Sequence, residues 1–405
     1  MKIKIVLTIA FLTVTSVSVG KIIINESLSL EGFIDMAYTH LNGEADVSGS
    51  SNLQESDNSF GIEEVEFTFL FNFDPVTALI DLEFEENGEE PEVEQAFVNY
   101  RLDGNLQGAI LTAGRYASML GFEAFERVGR YQFSAAYEVE LLGDFIGENL
   151  FNGILSNPDL EVFLDSEAFV FFESVLFPVG ERYSQGVRYT YENDTTFFAV
   201  SIQDGTLNYE NRLGGDDAED DTAVDDGGYG IEIAYAYDCR SGFNYFIGGS
   251  YEKGDGINSA SLDLSFGNSE TYVINTYVTY EIGAWLFAVE LNYSETEMDD
   301  VFASGDDADF ESFTSLVMTN YVYNDQASIT GRISLMDLNA DLQNAGSGAG
   351  AAQVFKYTAA HNYAFTDNLL FVTELSYSEG DFHSSVDPDS DLEELFAAVQ
   401  LLFVF

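Results

Sequence analysis

Three histidines and one cysteine are all this 405-residue chain offers for imidazole or thiol chemistry. His40, His361 and His383 lie far apart in sequence, and Cys239 has no partner for a disulfide. Only His40 and His383 would meet at one rim, beside Asp381. A catalytic base also needs a nucleophile or activated water within hydrogen-bond reach, and no pattern supplies one. No catalytic residue, enzymatic activity or cofactor is therefore expected. Charge is the chemistry that remains. Against 71 acidic residues stand 14 basic ones, a net charge of −57 that argues against nucleic acid or anionic lipid head groups as partners. Yet six of the nine arginines fall between positions 101 and 188: Arg101, Arg115, Arg127, Arg130, Arg182 and Arg188. Asp81, Glu83, Glu85, Glu123 and Glu126 lie in or beside the same stretch. Opposed rows of guanidinium and carboxylate across a watery passage set a transverse field that orients dipolar solutes and filters ions. The same pairs would equally serve to fasten a loop.

Two acidic runs raise the question of calcium: Asp216 to Asp221 with Asp225 and Asp226, and Asp387-Pro388-Asp389-Ser390-Asp391. Neither has the fixed spacing, the glycine at position six or the terminal Glu of an EF-hand loop. They read as solvated loops that concentrate cations, and no metal-ligand set is expected.

The elements that must carry these charges have a period of two. Val65, Phe67, Phe69, Phe71 and Phe73 share one face, with Glu64, Glu66, Thr68 and Asn72 on the other. The chain ends in the same way, on Leu395, Ala397, Val399, Leu401, Phe403 and Phe405, with Glu394, Ala398 and Gln400 between them. Such alternation is that of two-faced β-strands. Sixteen segments of this kind start near residues 28, 60, 76, 92, 108, 182, 195, 229, 243, 270, 284, 312, 326, 353, 368 and 392. Short links such as Asp74-Pro75, Asn324-Asp325 and Thr366-Asp367 alternate with mostly long polar connections such as 204–228, 253–269 and 380–391. Short turns on one side and long loops on the other describe an outer-membrane barrel. Aromatics flank the short turns (Tyr237 and Phe243, Tyr280 and Trp285, Phe365 and Phe371) and return at the far ends (Tyr251, Tyr272, Tyr293, Phe313, Tyr377). Two aromatic rings at two heights are the interfacial girdles of a membrane barrel.

The expectation is an all-β, transmembrane antiparallel β-barrel of about sixteen strands spanning 21–405. Residues 1–20 form a signal peptide, with Lys2 and Lys4 before the apolar run Ile5 to Val14 and small residues through Gly20. The longest connection, 117–181, is unusually apolar, with Phe122, Phe125, Phe133, Phe145, Phe151, Phe163 and Phe169 to Phe172. A barrel this wide holds water unless something narrows it, so this segment is expected to fold into the lumen as a constriction loop. The alternative makes 131–142 and 167–177 two further strands, eighteen in all. Alternation puts Tyr183, Val187 and Tyr189 outward, and Arg182 and Arg188 inward.

Several motifs resemble the β-barrel porin-2 family: Val93 to Tyr100 (VEQAFVNY), Leu111 to Tyr116 (LTAGRY), Gly121-Phe122-Glu123, and Gly186 to Tyr191 (GVRYTY). The resemblance covers about residues 60–205; beyond that the strand pattern alone agrees. It implies a diffusion channel, often a homotrimer, embedded in outer-membrane lipid. The aromatic end at Phe405 reads as the signal for the barrel-assembly machinery. The expected function is passive diffusion of small hydrophilic solutes and ions, leaning toward cations. The rivals are a substrate-specific channel for sugars or oligopeptides, a plugged structural or adhesive barrel, and an enzyme at the rim.

Overall fold

The computed structural model describes residues 21–45, 53–85, 91–102, 104–123, 127–142, 179, 183–204, 228–254, 257–259, 264–266, 268–301, 306–342, 348–384 and 390–405. The expected signal peptide at 1–20, Glu126, Arg182, the stretch 143–178 and the acidic run at 216–226 lie outside them. Among the described residues, alternating side chains give nineteen strands: β1 (Ile22–Asn25), β2 (Leu28–Ala45), β3 (Leu53–Phe73), β4 (Val76–Glu85), β5 (Glu92–Leu102), β6 (Ala109–Ala117), β7 (Tyr183–Glu192), β8 (Thr196–Gln203), β9 (Tyr229–Asp238), β10 (Phe243–Gly254), β11 (Ile257–Ser259), β12 (Leu264–Phe266), β13 (Ser269–Ile282), β14 (Trp285–Val301), β15 (Asp306–Asn324), β16 (Ala327–Leu342), β17 (Gly348–Thr366), β18 (Leu369–Ser384) and β19 (Ser390–Val404). Strands β11 and β12 pair only with each other, as a small hairpin.

Sixteen strands, β2 to β10 and β13 to β19, form one antiparallel sheet in which each pairs with its sequence neighbour. The sheet closes where β19 pairs with β2, from Leu392 opposite Ala45 to Val404 opposite Phe33. Phe405 and Gly32 exchange both backbone bonds at 2.9 Å just beyond that ladder. Closure leaves no open edge, which a sheet in hydrocarbon cannot tolerate. Strand β1 is an extra strand that turns back along the start of β2. The eighteen-strand alternative fails for a physical reason: 131–142 has no ladder and consists of bends and turns. The sixteen segments expected from the sequence are the sixteen barrel strands, although β3, β15 and β17 begin several residues earlier.

The alternation does what it must. On β19, Glu394, Phe396, Ala398, Gln400 and Leu402 face inward and are buried, while Leu395, Val399 and Phe403 lie outward and exposed. The outward aromatics pair across strands at two heights: Phe243 on Tyr280 (4.1 Å between ring centroids) and Trp285 on Tyr321 (4.3 Å) at the short-turn end, Tyr251 on Tyr272 (5.0 Å) at the other. The two heights are eight residues apart along the strands (243 and 251, 272 and 280, 285 and 293). At a rise of about 3.3 Å per residue and a tilt of about 40°, that separation is roughly 20 Å, close to the apolar band of such barrels.

The wall has a low and a tall side. Strands β4 to β9 have 8 to 11 residues, enough to cross the apolar band and little more, whereas β14 to β19 have 15 to 19. Side chains set the short turns: Asn193 Oδ1 accepts from the backbone N–H of both Thr195 and Thr196 at 3.0 Å, and Asn324 Oδ1 from that of Gln326 at 2.8 Å. Gly114 on β6 stands opposite Gly186 on β7. Gly114 takes φ +134°, and a Cβ there would run into the Ala96 carbonyl oxygen and the Cα of Phe97.

Candidate functional site

Residues 118–123, which leave the end of β6, and residues 127–142 lie along the inside of the wall. Apart from one 3₁₀ turn at Arg127–Gly129, the described part as far as Leu141 forms no helix or strand, so its backbone groups need other partners. Inward carboxylates supply acceptors. Glu232 on β9 takes the N–H of Met119 (2.7 Å), Glu290 on β14 that of Phe122 (2.7 Å), and Glu394 on β19 that of Leu141 (3.0 Å). Glu374 on β18 takes two, from Phe133 (2.8 Å) and Ser134 (3.0 Å). Inward bases and amides supply donors. Arg332 on β16 donates to the carbonyls of Ser134 (3.1 Å) and Ala135 (3.0 Å), and Lys356 on β17 to those of Ala135 (3.2 Å) and Glu138 (2.5 Å). Thr330 and Asn362 both reach the Tyr131 carbonyl, at 3.1 and 2.8 Å.

Apolar side chains fasten the segment at four places. Leu120 packs with Phe246 and Tyr277, Ala136 with Leu286, Ala288, Leu316 and Met318, and Val128 against Phe33, Leu370 and Leu402. Phe133 stacks on Phe396 at 5.9 Å. These wall residues break the rule that a porin-like interior is polar, and they do so where the segment lies. The segment occupies the lumen as expected for part of 117–181.

The sequence-nominated charges are distributed as follows. Glu123 accepts from Arg332 Nη1 (2.5 Å), the N–H of Ala136 (2.6 Å) and Gln132. Arg127 spans Asp35 on β2 (3.5 Å) and Glu64 on β3 (3.3 Å) with its guanidinium 5.1 Å from the Phe133 ring centroid. Arg130 follows on the same 3₁₀ turn, its N–H on the Arg127 carbonyl. Asp81 is buried on β4, accepting from Thr68 (2.5 Å) and Gln95 (3.3 Å), and Glu83 lies two residues along the same strand. Glu85 ends β4 opposite Glu64. Arg115 donates to the Val93 carbonyl (2.8 Å) and lies over Tyr183, while Arg188 donates to that of Ala117 (2.9 Å) and lies over Tyr116. Two placements differ from expectation. Arg101 stays at the short-turn rim, paired with Asp74 and half exposed, and does not join the others. Tyr183 turns inward instead of outward: it is buried, its hydroxyl donating to Glu94, on the part of β7 beyond Gly186, where the ladder to β8 has ended and Tyr183 and Ser184 are both buried. His40 bonds Asn58 at 2.9 Å.

Sequence reasoning missed Arg332, Lys356, Glu232, Glu290, Glu374 and Glu394, which do most of the holding. Their signal was present, since each is a charged residue on the polar row of an otherwise apolar-faced strand. Within the segment, burial pushes the Glu140 carboxyl up to about 7, with Glu138 and Glu394 adding to the effect. Burial acts on Glu138 in the same direction, but Lys356, Arg130 and the N–H of Ala135 hold it below the usual range.

The family model described as "Putative beta-barrel porin-2, OmpL-like" matches residues 157–405. That span contains the Gly186 to Tyr191 motif, while the motifs at 93–100, 111–116 and 121–123 lie before it, so the likeness rests on the C-terminal strands more than on the segment's flanks. No curated protein matches the sequence. Among solved structures, the anion-selective porin from Comamonas acidovorans is similar at 13% identity and a TM-score of 0.56, over 94% of this chain and 99% of that one. The outer membrane channel DcaP of Acinetobacter baumannii follows at 12% and 0.55 (93% and 97%), and OmpT of Vibrio cholerae, an outer membrane protein, at 11% and 0.52 (95% and 100%). At such identities these likenesses speak for the fold. With a family match over more than half its length and a closed sixteen-strand barrel, the chain belongs to the OmpL-like β-barrel porin-2 family of outer-membrane channels.

Proposed function

We propose that the barrel conducts small hydrophilic solutes and ions by passive diffusion, with a preference for cations. The observation that carries this reading is the charge of the inner wall. Among the described residues the buried acids are Asp35, Glu64, Glu66, Asp81, Glu94, Glu232, Glu252, Glu290, Glu374 and Glu394, against Arg332 and Lys356 as buried bases. A low-dielectric wall biased this far concentrates counter-ions in the passage. The arginines at 115, 127 and 188 temper the bias and supply the opposite pole of a transverse field. The reversal potential of the purified chain in a planar bilayer under a KCl gradient tests this, and a clear anion preference overturns it. The anion selectivity of the Comamonas porin is that protein's own and is not carried over to a chain of net charge −57.

A cavity of about 210 Å³ at the short-turn end favours a second reading, a channel selective for sugars or cationic solutes. Phe122, Tyr131 and Tyr277 offer ring faces there, beside Glu192 and Glu281. Saturable block of conductance by one solute class would favour it over simple diffusion. The low wall of β4 to β9 is the natural face for contact between subunits of a trimer, which cross-linking in membranes would test. Export after removal of 1–20 is tested by the N-terminal sequence of the membrane-inserted protein.

A further inference from the structure

Three inward carboxylates on adjacent strands of the low wall meet with no basic partner among the described residues. Glu66 on β3, Asp81 on β4 and Glu94 on β5 each present an oxygen within 4.8 Å of the other two. All three are at least nine-tenths buried, with relative exposures of 4%, 3% and 9%. Among the described residues, Oε2 of Glu66 and Oε2 of Glu94 have no hydrogen-bond partner. Among the described residues no lysine, arginine or histidine forms an ion pair with any of the three; the nearby Arg127 is engaged by Asp35 and Glu64. Tyr183 donates its hydroxyl to Glu94, and the Thr68 hydroxyl is oversubscribed. Thr68 Oγ1 stands 2.6 Å from Glu66 Oε1 and 2.5 Å from Asp81 Oδ1, yet it carries a single proton and can donate to only one. Glu94 is brought in by the backbone: Asp81 pairs with Gln95 and Leu82 with Val93, so Glu94 is the extra residue of a β-bulge, a device that re-aims a side chain.

Buried like charges at this spacing cannot all stay ionised without a compensating positive charge. We infer that Glu66, Asp81 and Glu94 form a binding site for a hard divalent cation of calcium's size on the inner wall. Carboxylate oxygens are the ligands such an ion takes, with contacts of about 2.3–2.6 Å, so ligands facing each other across it stand roughly 4.6–5.2 Å apart. The group's oxygens all lie within 4.8 Å of one another, close enough for one such ion to bridge, and a set of three carboxylates with a hydroxyl suits calcium better than magnesium, which keeps most of its waters. The Thr68 hydroxyl is placed to complete the shell from the protein side. The two orphan oxygens and the crowded hydroxyl are then accounted for together. The site is independent of what the barrel conducts.

Equilibrium dialysis of the full-length, detergent-folded protein against radioactive Ca²⁺, in excess Mg²⁺ to suppress weak binding, tests the site. The expected result is one Ca²⁺ per chain in the wild type, and none in the Glu66→Gln, Asp81→Asn, Glu94→Gln triple variant. Each single amide variant is expected to weaken binding roughly tenfold, which serves as the test should the triple variant not fold. Neutralising the acidic run at 216–221 is expected to leave the bound ion in place. Absence of Ca²⁺ from the wild type overturns the inference and leaves protons as the occupants. Binding that survives the wall substitutions but is lost with the acidic run also overturns it.

Discussion

Replacing Arg332 by methionine isolates the strongest clamp between wall and segment. The guanidinium is fully enclosed and makes five contacts: Nη1 to Glu123 Oε1 (2.5 Å) and the Ser134 carbonyl (3.1 Å), Nη2 to the Ala135 carbonyl (3.0 Å), Thr358 Oγ1 (3.2 Å) and, more weakly, Ser134 Oγ (3.4 Å). Methionine roughly keeps the volume and deletes every donor. Removing one partner of a buried ion pair costs about 3–5 kcal/mol. Glu123 keeps the N–H of Ala136 and the amide of Gln132, which puts the loss near the lower end, about 3 kcal/mol. The barrel ladder is untouched, so the cost falls on docking of 118–142 and not on closure of the sheet. At tenfold per 1.4 kcal/mol, the undocked population rises roughly 100-fold. The expected readouts are a larger, noisier single-channel conductance and faster proteolysis within 118–142, with heat-modifiable migration of the barrel unchanged. A double-mutant cycle with Glu123→Gln should give a coupling above about 1 kcal/mol. Arg332→Lys should be intermediate, because one ammonium cannot serve both branches of the fork. Wild-type conductance and cleavage rate in Arg332→Met, or a coupling under about 0.5 kcal/mol, would refute the clamp.

Gly114→Ala forces a Cβ against the Ala96 carbonyl at a left-handed φ, so a loss of about 1–3 kcal/mol in urea-unfolding stability is expected, and an unchanged midpoint would argue against it. Phe405→Ala keeps the backbone pair with Gly32 but removes the ring packed against Phe67 (5.8 Å); the folded, membrane-inserted fraction should drop several-fold while barrel stability changes little. For Glu140, whose carboxyl is raised to about 7 in the folded segment against 4.5 ordinarily, the folded state holds the extra proton. Its contribution therefore favours docking below pH 4.5 and is lost as pH rises through about 7. Although the wall partly desolvates them, Glu138 and Glu140 keep much of their surface in the lumen, so the trend is shallow. Glu140→Gln should flatten the pH dependence of conductance across that window, and an identical profile for wild type and variant would exclude Glu140 as its source.

The barrel was legible because its constraint is written at every residue. Lipid on one side and polar contacts on the other impose period two, and the count of sixteen survives because every short turn carries its own Asn, Asp or Gly. Strand ends were less legible: β3 begins at Leu53, within a run of polar residues, because beyond the apolar band a strand no longer needs an apolar face. Tyr183 was misplaced for a related reason: it lies past Gly186, where the ladder to β8 ends, although the ladder to β6 runs on unbroken to Ala117 opposite Tyr183.

The lumen was half legible, and the reason is the spacing of its parts. Sequence proximity drew attention to the arginines between 101 and 188, yet the groups that hold 118–142 come from Glu232 to Glu394, more than a hundred residues further along. Both halves of each contact are visible as exceptions to a pattern: a charged residue on an inward row, or an inward Phe246, Leu316 or Phe396 where water would otherwise stand. The Glu66–Asp81–Glu94 group shows the same limit more sharply. No metal-ligand spacing exists in the sequence, because the three carboxylates are neighbours only through strand pairing and a one-residue bulge. Had β5 paired in strict register, Glu94 would point away from Asp81 and the wall would carry an ordinary polar row. A single backbone irregularity therefore decides whether three scattered acids are solvating charges or one site.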